Sequence, residues 1–203
     1  QAWSTLEVDV TGLVSRRQEA RADFQSRTGA NLTYLPFILK AVAESLRESP
    51  LLNSSWDGNA ILLKRRINIG VAVAAPDGLV VPVVHDADRL SIAGLATALD
   101  DVTGRARQGK LELKDVQGGT FTVNNTGALG SVVSRPLVSP PQAAILATES
   151  IVKRPVVIDD AVVARPRAYL TLGFDHRLID GAVADQFMSK VKRGLEAFDE
   201  GLL

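Results

Sequence analysis

The sequence contains no cysteine and only two histidines, His85 and His176. The absence of cysteine excludes disulfide bonds, thiolate metal sites and a cysteine nucleophile. Any imidazole chemistry must therefore use one of these two histidines. Long apolar runs are also missing, because none approaches the ~18 residues of a membrane-spanning helix. We therefore expect no membrane partner.

Neither sign of charge predominates, since 23 Lys and Arg residues balance 23 Asp and Glu residues. The composition thus predicts no basic surface, and nucleic acid is not an expected partner. Hydrophobic residues form 46% and charged residues 23% of the 203 residues, which is typical of a globular domain. The first residues, Gln1-Ala2-Trp3, lack the regions of a signal peptide, and we expect the chain to be cut from a longer one.

Helical periodicity predicts several helices. The clearest apolar stripe consists of Leu35, Ile38, Leu39, Val42, Ala43 and Leu46. Thr11, Thr33, Ser91 and Asp180 are the residue types that cap helix N-termini, and each precedes a helical pattern. Gly29 is expected to end the first helix, over about 12–28.

Alternating and β-branched segments predict strands at 3–10, within 60–75, and at 79–84, 121–125, 142–151, 156–164 and 168–174. The segment 79–84 is nearly all apolar and is expected to be buried on both faces, although Pro82 suggests an edge or a bulge. Ala75-Pro76-Asp77-Gly78 predicts a turn. The elements do not alternate strictly, so we predict one α+β domain over 1–203, with a large mixed sheet.

The first candidate for chemistry is Asp175-His176-Arg177-Leu178-Ile179-Asp180-Gly181, which follows a predicted strand and precedes a helix. A neutral His176 can accept a proton near neutral pH. A loop histidine beside a helix-capping Asp180 is an equally simple explanation. A metal bound by Asp175, His176 and Asp180 is disfavoured, because zinc sites usually hold more nitrogen or sulfur ligands. His85 is expected to be a solvated loop histidine.

The second candidate is the polar run Gly118–Gly127 around a predicted strand. Strand alternation places Thr122 and Asn124 on one face. The Asn124 amide could donate a hydrogen bond to an oxyanion, or the run could simply end a strand in a turn. No Gly-Lys-Ser/Thr follows the glycines, so the run is not a phosphate-binding loop.

These residues resemble the catalytic domain of the dihydrolipoyl acyltransferases, the core components of 2-oxo-acid dehydrogenase complexes. The stretch 175–181 is similar to the family signature Asp-His-Arg-x-x-Asp-Gly. Further similar stretches follow in order at 32–37, 67–73, 76–83, 118–123 and 141–146. The match therefore covers nearly the whole chain.

The resemblance implies a fold like chloramphenicol acetyltransferase, assembled as a trimer, with the active site between neighbouring subunits. It implies that His176 is the general base, that Asp180 orients the site, and that coenzyme A and dihydrolipoamide are the substrates. Many members carry Ser or Thr as the oxyanion donor where this chain has Asn124, and the branched-chain subgroup includes sequences similar to Asn-Asn-Thr-Gly. The reacting thiols belong to the substrates, which fits a chain without cysteine.

The resemblance also implies a larger cubic or icosahedral assembly, and partners that include a lipoyl domain, a decarboxylase and dihydrolipoamide dehydrogenase. The lipoyl and peripheral-subunit-binding domains are expected N-terminal to this chain, and the family's N-terminal arm to be incomplete here. Alternatives are an acetyltransferase acting on a small-molecule hydroxyl, and an assembly core of weak activity. A branched-chain or acetyl group, and a bacterial cytoplasm or a mitochondrial matrix, remain open.

Overall fold

The structure is a computed structural model that describes residues 1–76 and 78–198. Its strands are β1 (Ala2–Asp9), β2 (Ser54–Trp56), β3 (Ile61–Leu63), β4 (Ile69–Val71), β5 (Val73–Ala75), β6 (Gly78–Val80), β7 (Val83–Val84), β8 (Phe121–Asn125), β9 (Ala144–Thr148), β10 (Val152–Ile158) and β11 (Ala161–Phe174). Its α-helices are α1 (Thr11–Thr28), α2 (Leu35–Glu48), α3 (Ile92–Arg107), α4 (Leu113–Val116) and α5 (Gly181–Glu196).

The main sheet has seven strands among the described residues, in the order β1-β11-β9-β8-β4-β7, with β10 paired to the first half of β11. The pairs β4–β8 and β8–β9 are parallel, and the other pairs are antiparallel. Two small hairpins, β2–β3 and β5–β6, lie outside this sheet. The predicted α+β class with a large mixed sheet is confirmed.

Helices α2 and α5 bury apolar faces in a core beside the sheet. The stripe predicted for α2 is confirmed, since Leu39 and Val42 are fully buried and Leu46 is nearly so. Phe187 of α5 packs on Phe121 of β8, with ring centroids 5.8 Å apart. Each fully buried side chain of this size contributes about 1.5–3 kcal/mol to folding. These contacts fix α5, and with it the loop that precedes it, against the sheet.

Two of the four predicted caps are confirmed. The Ser91 hydroxyl accepts a hydrogen bond from Gly94 N–H, and Asp180 accepts one from Val183 N–H. The predictions for Thr11 and Thr33 are wrong, because α1 already includes Thr11 and α2 begins after Tyr34, each without a side-chain cap. The carboxylate of Asp9 accepts the bond from Thr11 N–H at 2.9 Å instead. The periodicity did not show that an acidic side chain two residues earlier would take this role.

The prediction of one strand over 79–84, buried on both faces, is wrong. The chain forms β6 and β7 separately, and Leu79 is 72% exposed. Pro82 lies between them, has no N–H for a ladder and uses its carbonyl oxygen to accept a bond from Val71 N–H at 2.8 Å. Of the predicted turn before β6, Asp77 lies outside the described residues.

The predicted strand 156–164 is also wrong, because it contains a hairpin turn. Ile158 pairs with Ala161, so Asp159 and Asp160 form a two-residue loop between β10 and β11. Both have positive φ, 48° and 62°, a conformation that aspartate tolerates better than most residues. The strand predicted at 168–174 is therefore only the second half of β11.

A long connection, residues 126–143, joins β8 to β9. The two strands are parallel, so this crossover must return from the carboxyl end of β8 to the amino end of β9. The crossover packs on the sheet face opposite α5: the Trp3 indole N–H donates to the Pro136 carbonyl oxygen at 2.9 Å, and the Ser134 hydroxyl donates to Glu149 at 2.5 Å. It thereby connects the neighbourhood of Asn124 with that of His176.

Candidate active site

The His176 loop, residues 175–180, is held at both ends. Its first N–H, that of Asp175, donates to the Ala143 carbonyl oxygen at 2.9 Å and continues the β9–β11 ladder. Leu178 and Ile179 are buried, and both of their N–H groups donate to the Asp175 carbonyl oxygen at 3.0 Å. These anchors leave His176 at an exposed turn. Its ring lies over Phe174, with centroids 5.8 Å apart.

Asp175 precedes His176 but is paired with Arg177. The Arg177 guanidinium donates to both carboxylate oxygens, at 3.0 Å from Nε and 2.6 Å from Nη2. Hydrogen bonds from the Arg177 side chain hold the pKa of Asp175 below its usual range, with a smaller contribution from the Arg177 N–H. The Asp175 carboxylate is therefore ionised and forms a salt bridge with Arg177.

Asp180 performs a structural task at the start of α5. Its Oδ1 accepts a hydrogen bond from Val183 N–H at 2.9 Å, and its carboxylate lies at the positive end of the helix dipole. Within the described ranges, no hydrogen bond joins Asp180 to His176. The helix-capping explanation for Asp180 is thus confirmed, and an orienting role remains a prediction.

Replacing Asp180 with alanine is expected to lower the free energy of unfolding by about 1 kcal/mol, the usual cost of losing an N-cap. Asp180→Ser keeps an oxygen for Val183 N–H and should lose much less. Urea unfolding of both variants measures the difference. Equal losses for the serine and alanine variants would contradict the capping role.

A cavity of about 590 Å³ opens beside His176. Its lining combines an aromatic ring, prolines, amide side chains and the charged pair next to the histidine: Gln1, Trp56, Val138, Pro140, Pro141, Gln142, Asp175, His176 and Arg177. A substrate bound there would lie against the His176 ring. Neither Trp56 nor Gln142 was predicted from the sequence as a site residue. Gln142 belongs to the stretch 141–146, the only sequence signal that could have indicated it.

Asn124 lies elsewhere in the same chain. Its neighbours Phe121 and Val123 are buried on the α5 side of β8, whereas Asn124 is partly exposed on the opposite face, as the alternation predicted. Within residues 1–76 and 78–198, its side chain forms no hydrogen bond. Asn124 is not among the residues that line the His176 cavity.

The strand register separates the two groups. Asn124 pairs with Ala147 of β9, whereas Phe174, just before the His176 loop, pairs with Ala144. This offset along β9 is about 10 Å at ~3.3 Å per residue. His176 lies still further along, beyond the end of β11. One chain therefore does not bring the imidazole and the Asn124 amide to the same reacting atom.

A second cavity, of about 420 Å³, lies between the sheet and helices α1 and α2. It is mostly apolar, and Asn125 rather than Asn124 lines it. Among the described residues, no cluster of three or more His, Cys, Asp or Glu side chains could hold a metal ion. None of the helices in this part of the chain is long and apolar enough to cross a membrane.

Comparison with known proteins identifies relatives along the whole chain. The family model for 2-oxoacid dehydrogenases acyltransferase (catalytic domain) matches residues 1–203. The lipoamide acyltransferase component of the branched-chain alpha-keto acid dehydrogenase complex of Bacillus subtilis (strain 168) is 48% identical over 98% of this chain and 47% of its own length. The dihydrolipoyllysine-residue acetyltransferase component of the pyruvate dehydrogenase complex of Mycobacterium bovis is 45% identical over 100% of this chain and 38% of its own. The chain thus spans half or less of these relatives.

Solved structures agree with this similarity. A probable dihydrolipoamide acetyltransferase from Listeria monocytogenes 4b F2365 superposes with a TM-score of 0.96 at 47% identity, over 100% of this chain and 88% of that one. The cubic core of a pyruvate dehydrogenase multienzyme complex superposes with a TM-score of 0.93 at 35% identity, over 97% of this chain and 81% of that one. Chloramphenicol acetyltransferase, at 17% identity and a TM-score of 0.62 over 96% and 87%, shares the fold, which confirms that prediction.

Proposed function

Because this chain belongs to the 2-oxoacid dehydrogenase acyltransferase (catalytic domain) family, we propose that it transfers an acyl group between dihydrolipoamide and coenzyme A. The observation that carries the proposal is the position of His176, which is exposed at the end of β11 and lines a cavity of about 590 Å³. Its side chain makes no hydrogen bond within the described residues, so the ring is available to a substrate. A thiol brought into this cavity meets a general base.

The proposed reaction starts with proton transfer. The neutral His176 imidazole accepts the proton of the coenzyme A thiol, and the thiolate attacks the thioester carbonyl carbon of acyl-dihydrolipoamide. The carbonyl π electrons move to oxygen and form a tetrahedral oxyanion. Collapse breaks the bond to the dihydrolipoamide sulfur, which takes the proton from His176. Acyl-coenzyme A and dihydrolipoamide are released, and the reverse reaction uses the same steps.

We infer that a second copy of the chain completes the site. The register places Asn124 and the His176 loop at different levels of the sheet, so the Asn124 amide that stabilises the oxyanion belongs to a neighbouring copy. In a cyclic trimer, the same contact between neighbouring copies occurs three times and forms three such sites. Similarity to a cubic core supports the further assembly of trimers into a larger shell.

The proposed partners follow from the same family. They are a lipoyl domain that delivers the acyl group, and the decarboxylase and dihydrolipoamide dehydrogenase components of the complex. We also propose a bacterial cytoplasmic location, which the bacterial origin of the relatives supports. A mitochondrial matrix remains the alternative.

A panel of acyl-coenzyme A thioesters tests the activity, with dihydrolipoamide as acceptor and chromatography of the product as the measurement. We expect acetyl or branched acyl groups to react fastest, since a branched-chain relative is 48% and an acetyl relative 45% identical to this chain, whereas succinyltransferase relatives are 37–40% identical. Fastest transfer of a succinyl group would contradict this choice. Transfer only to hydroxyl acceptors would favour the hydroxyl acetyltransferase, and absence of coenzyme A binding would favour an assembly core.

A further inference from the structure

The Gln142 side chain has a position that the reaction above does not use. Gln142 precedes β9 and lines the His176 cavity. The hydrogen bond from Asp175 N–H to the Ala143 carbonyl oxygen continues the β9–β11 ladder past Phe174. Gln142 and His176 therefore extend side by side from the end of this ladder.

The Gln142 carboxamide is fixed at its oxygen. The hydroxyl of Thr122, itself 2% exposed, donates to Oε1 at 2.7 Å. The backbone is fixed as well, through a bridge to Ser55 and a 3.0 Å bond from the Gln142 N–H to the Ser139 carbonyl oxygen. The orientation of the amide group is thus set before any substrate binds.

The amide nitrogen of Gln142 has no acceptor among residues 1–76 and 78–198. It lies beside Gly119, where an added Cβ would come within 3.3 Å of Nε2. The missing side chain at Gly119 leaves the nitrogen uncovered. A partly buried NH₂ group with no acceptor is a donor that a ligand can use.

We propose that Gln142 Nε2 donates a hydrogen bond to the amide carbonyl oxygen nearest the thiol of coenzyme A, an inference that rests on the proposed function. This amide adjoins the mercaptoethyl group of coenzyme A, so it stays near a thiol held at His176. In dihydrolipoamide a longer aliphatic chain separates the amide from the thiols. Gln142 therefore binds coenzyme A and not dihydrolipoamide. The hydrogen bond is equally strong in the ground state and in the transition state, so it affects substrate binding rather than the chemical step.

Two substitutions at Gln142 and one at the neighbouring Gly119 test the proposed hydrogen bond to coenzyme A. Gln142→Glu keeps the acceptor for Thr122 but removes the donor, and Gln142→Met removes the donor without adding charge. Both should raise the calorimetric Kd and the KM for coenzyme A roughly threefold to tenfold, the range expected for one neutral hydrogen bond. Gly119→Ala should act in the same direction by covering Nε2. The value of kcat and the KM for dihydrolipoamide should stay unchanged.

The matched controls are Gln108→Glu and Gln108→Met, at the exposed end of α3, which should leave every constant unchanged. Thermal melting shows whether each variant is folded. Coenzyme A Kd values that match wild type in both Gln142 variants overturn the inference, as does a loss confined to kcat. Calorimetry needs no turnover, so an inactive wild-type chain would overturn the proposed function while the Kd comparison still decides the role of Gln142.

Discussion

Replacing His176 with alanine is expected to lower kcat by about 10²–10⁴, the contribution typical of a positioned general base. The variant retains the cavity but has no group there to take the thiol proton, so the thiolate needed for attack becomes scarce. Its fold should survive, because the His176 side chain is exposed and forms no hydrogen bond within the described residues. The measurement is steady-state acyl transfer together with a melting curve.

The other histidine provides a matched control. His85 is exposed, and its Nε2 lies 3.3 Å from the Lys114 carbonyl oxygen, away from the residues that line the His176 cavity. His85→Ala should therefore turn over like wild type. If His176→Ala stayed within a few fold of wild type while folded, the proposed general base would be wrong.

The second large effect is expected at Asn124. In the proposed mechanism, Asn124→Ala removes a hydrogen-bond donor from the developing oxyanion, and loss of one such donor costs about 10²–10³ in kcat. The side chain forms no hydrogen bond within the described part of the chain, so its removal should leave stability unchanged. Asn31→Ala, at an exposed position outside the helices and strands, serves as the control.

A mixture of the two inactive variants tests whether copies share the site. His176→Ala and Asn124→Ala chains are coexpressed with different tags. At some contacts between neighbouring copies, the Asn124→Ala chain then supplies an intact His176 and the His176→Ala chain supplies an intact Asn124. Random mixing in a cyclic trimer restores about one quarter of the sites. Purified mixed trimers that stay as inactive as either parent would contradict a shared site.

Local patterns in the sequence predicted the parts of the fold that depend on nearby residues. The apolar stripe of α2, the Ser91 and Asp180 caps and the Gly29 stop all act within a few positions along the chain. Such signals are set by helical geometry alone. The prediction at Thr11 failed because a competing acceptor, Asp9, decided the helix start.

The strands show which features local sequence patterns cannot predict. The pattern around Asp159 contained apolar residues on both sides of a tight turn, and only the pairing of Ile158 with Ala161 places the turn there. Likewise, Gln142 and His176 line one cavity because β9 pairs with β11, a strand distant in sequence. Periodicity carries no information on which strands pair, so it could predict His176 and Asn124 as candidates but not the distance between them.

The parallel pairing of β8 and β9 has a consequence for substitutions at the proposed site. Because the crossover at 126–143 returns along the sheet, the surroundings of Asn124 and those of the His176 loop are built from different packing contacts. A substitution at Asn124 is therefore expected to leave the position of the His176 loop unchanged. If Asn124 is the oxyanion donor, as proposed, exchanging its amide for a hydroxyl would change that donor without moving the proposed proton acceptor, His176.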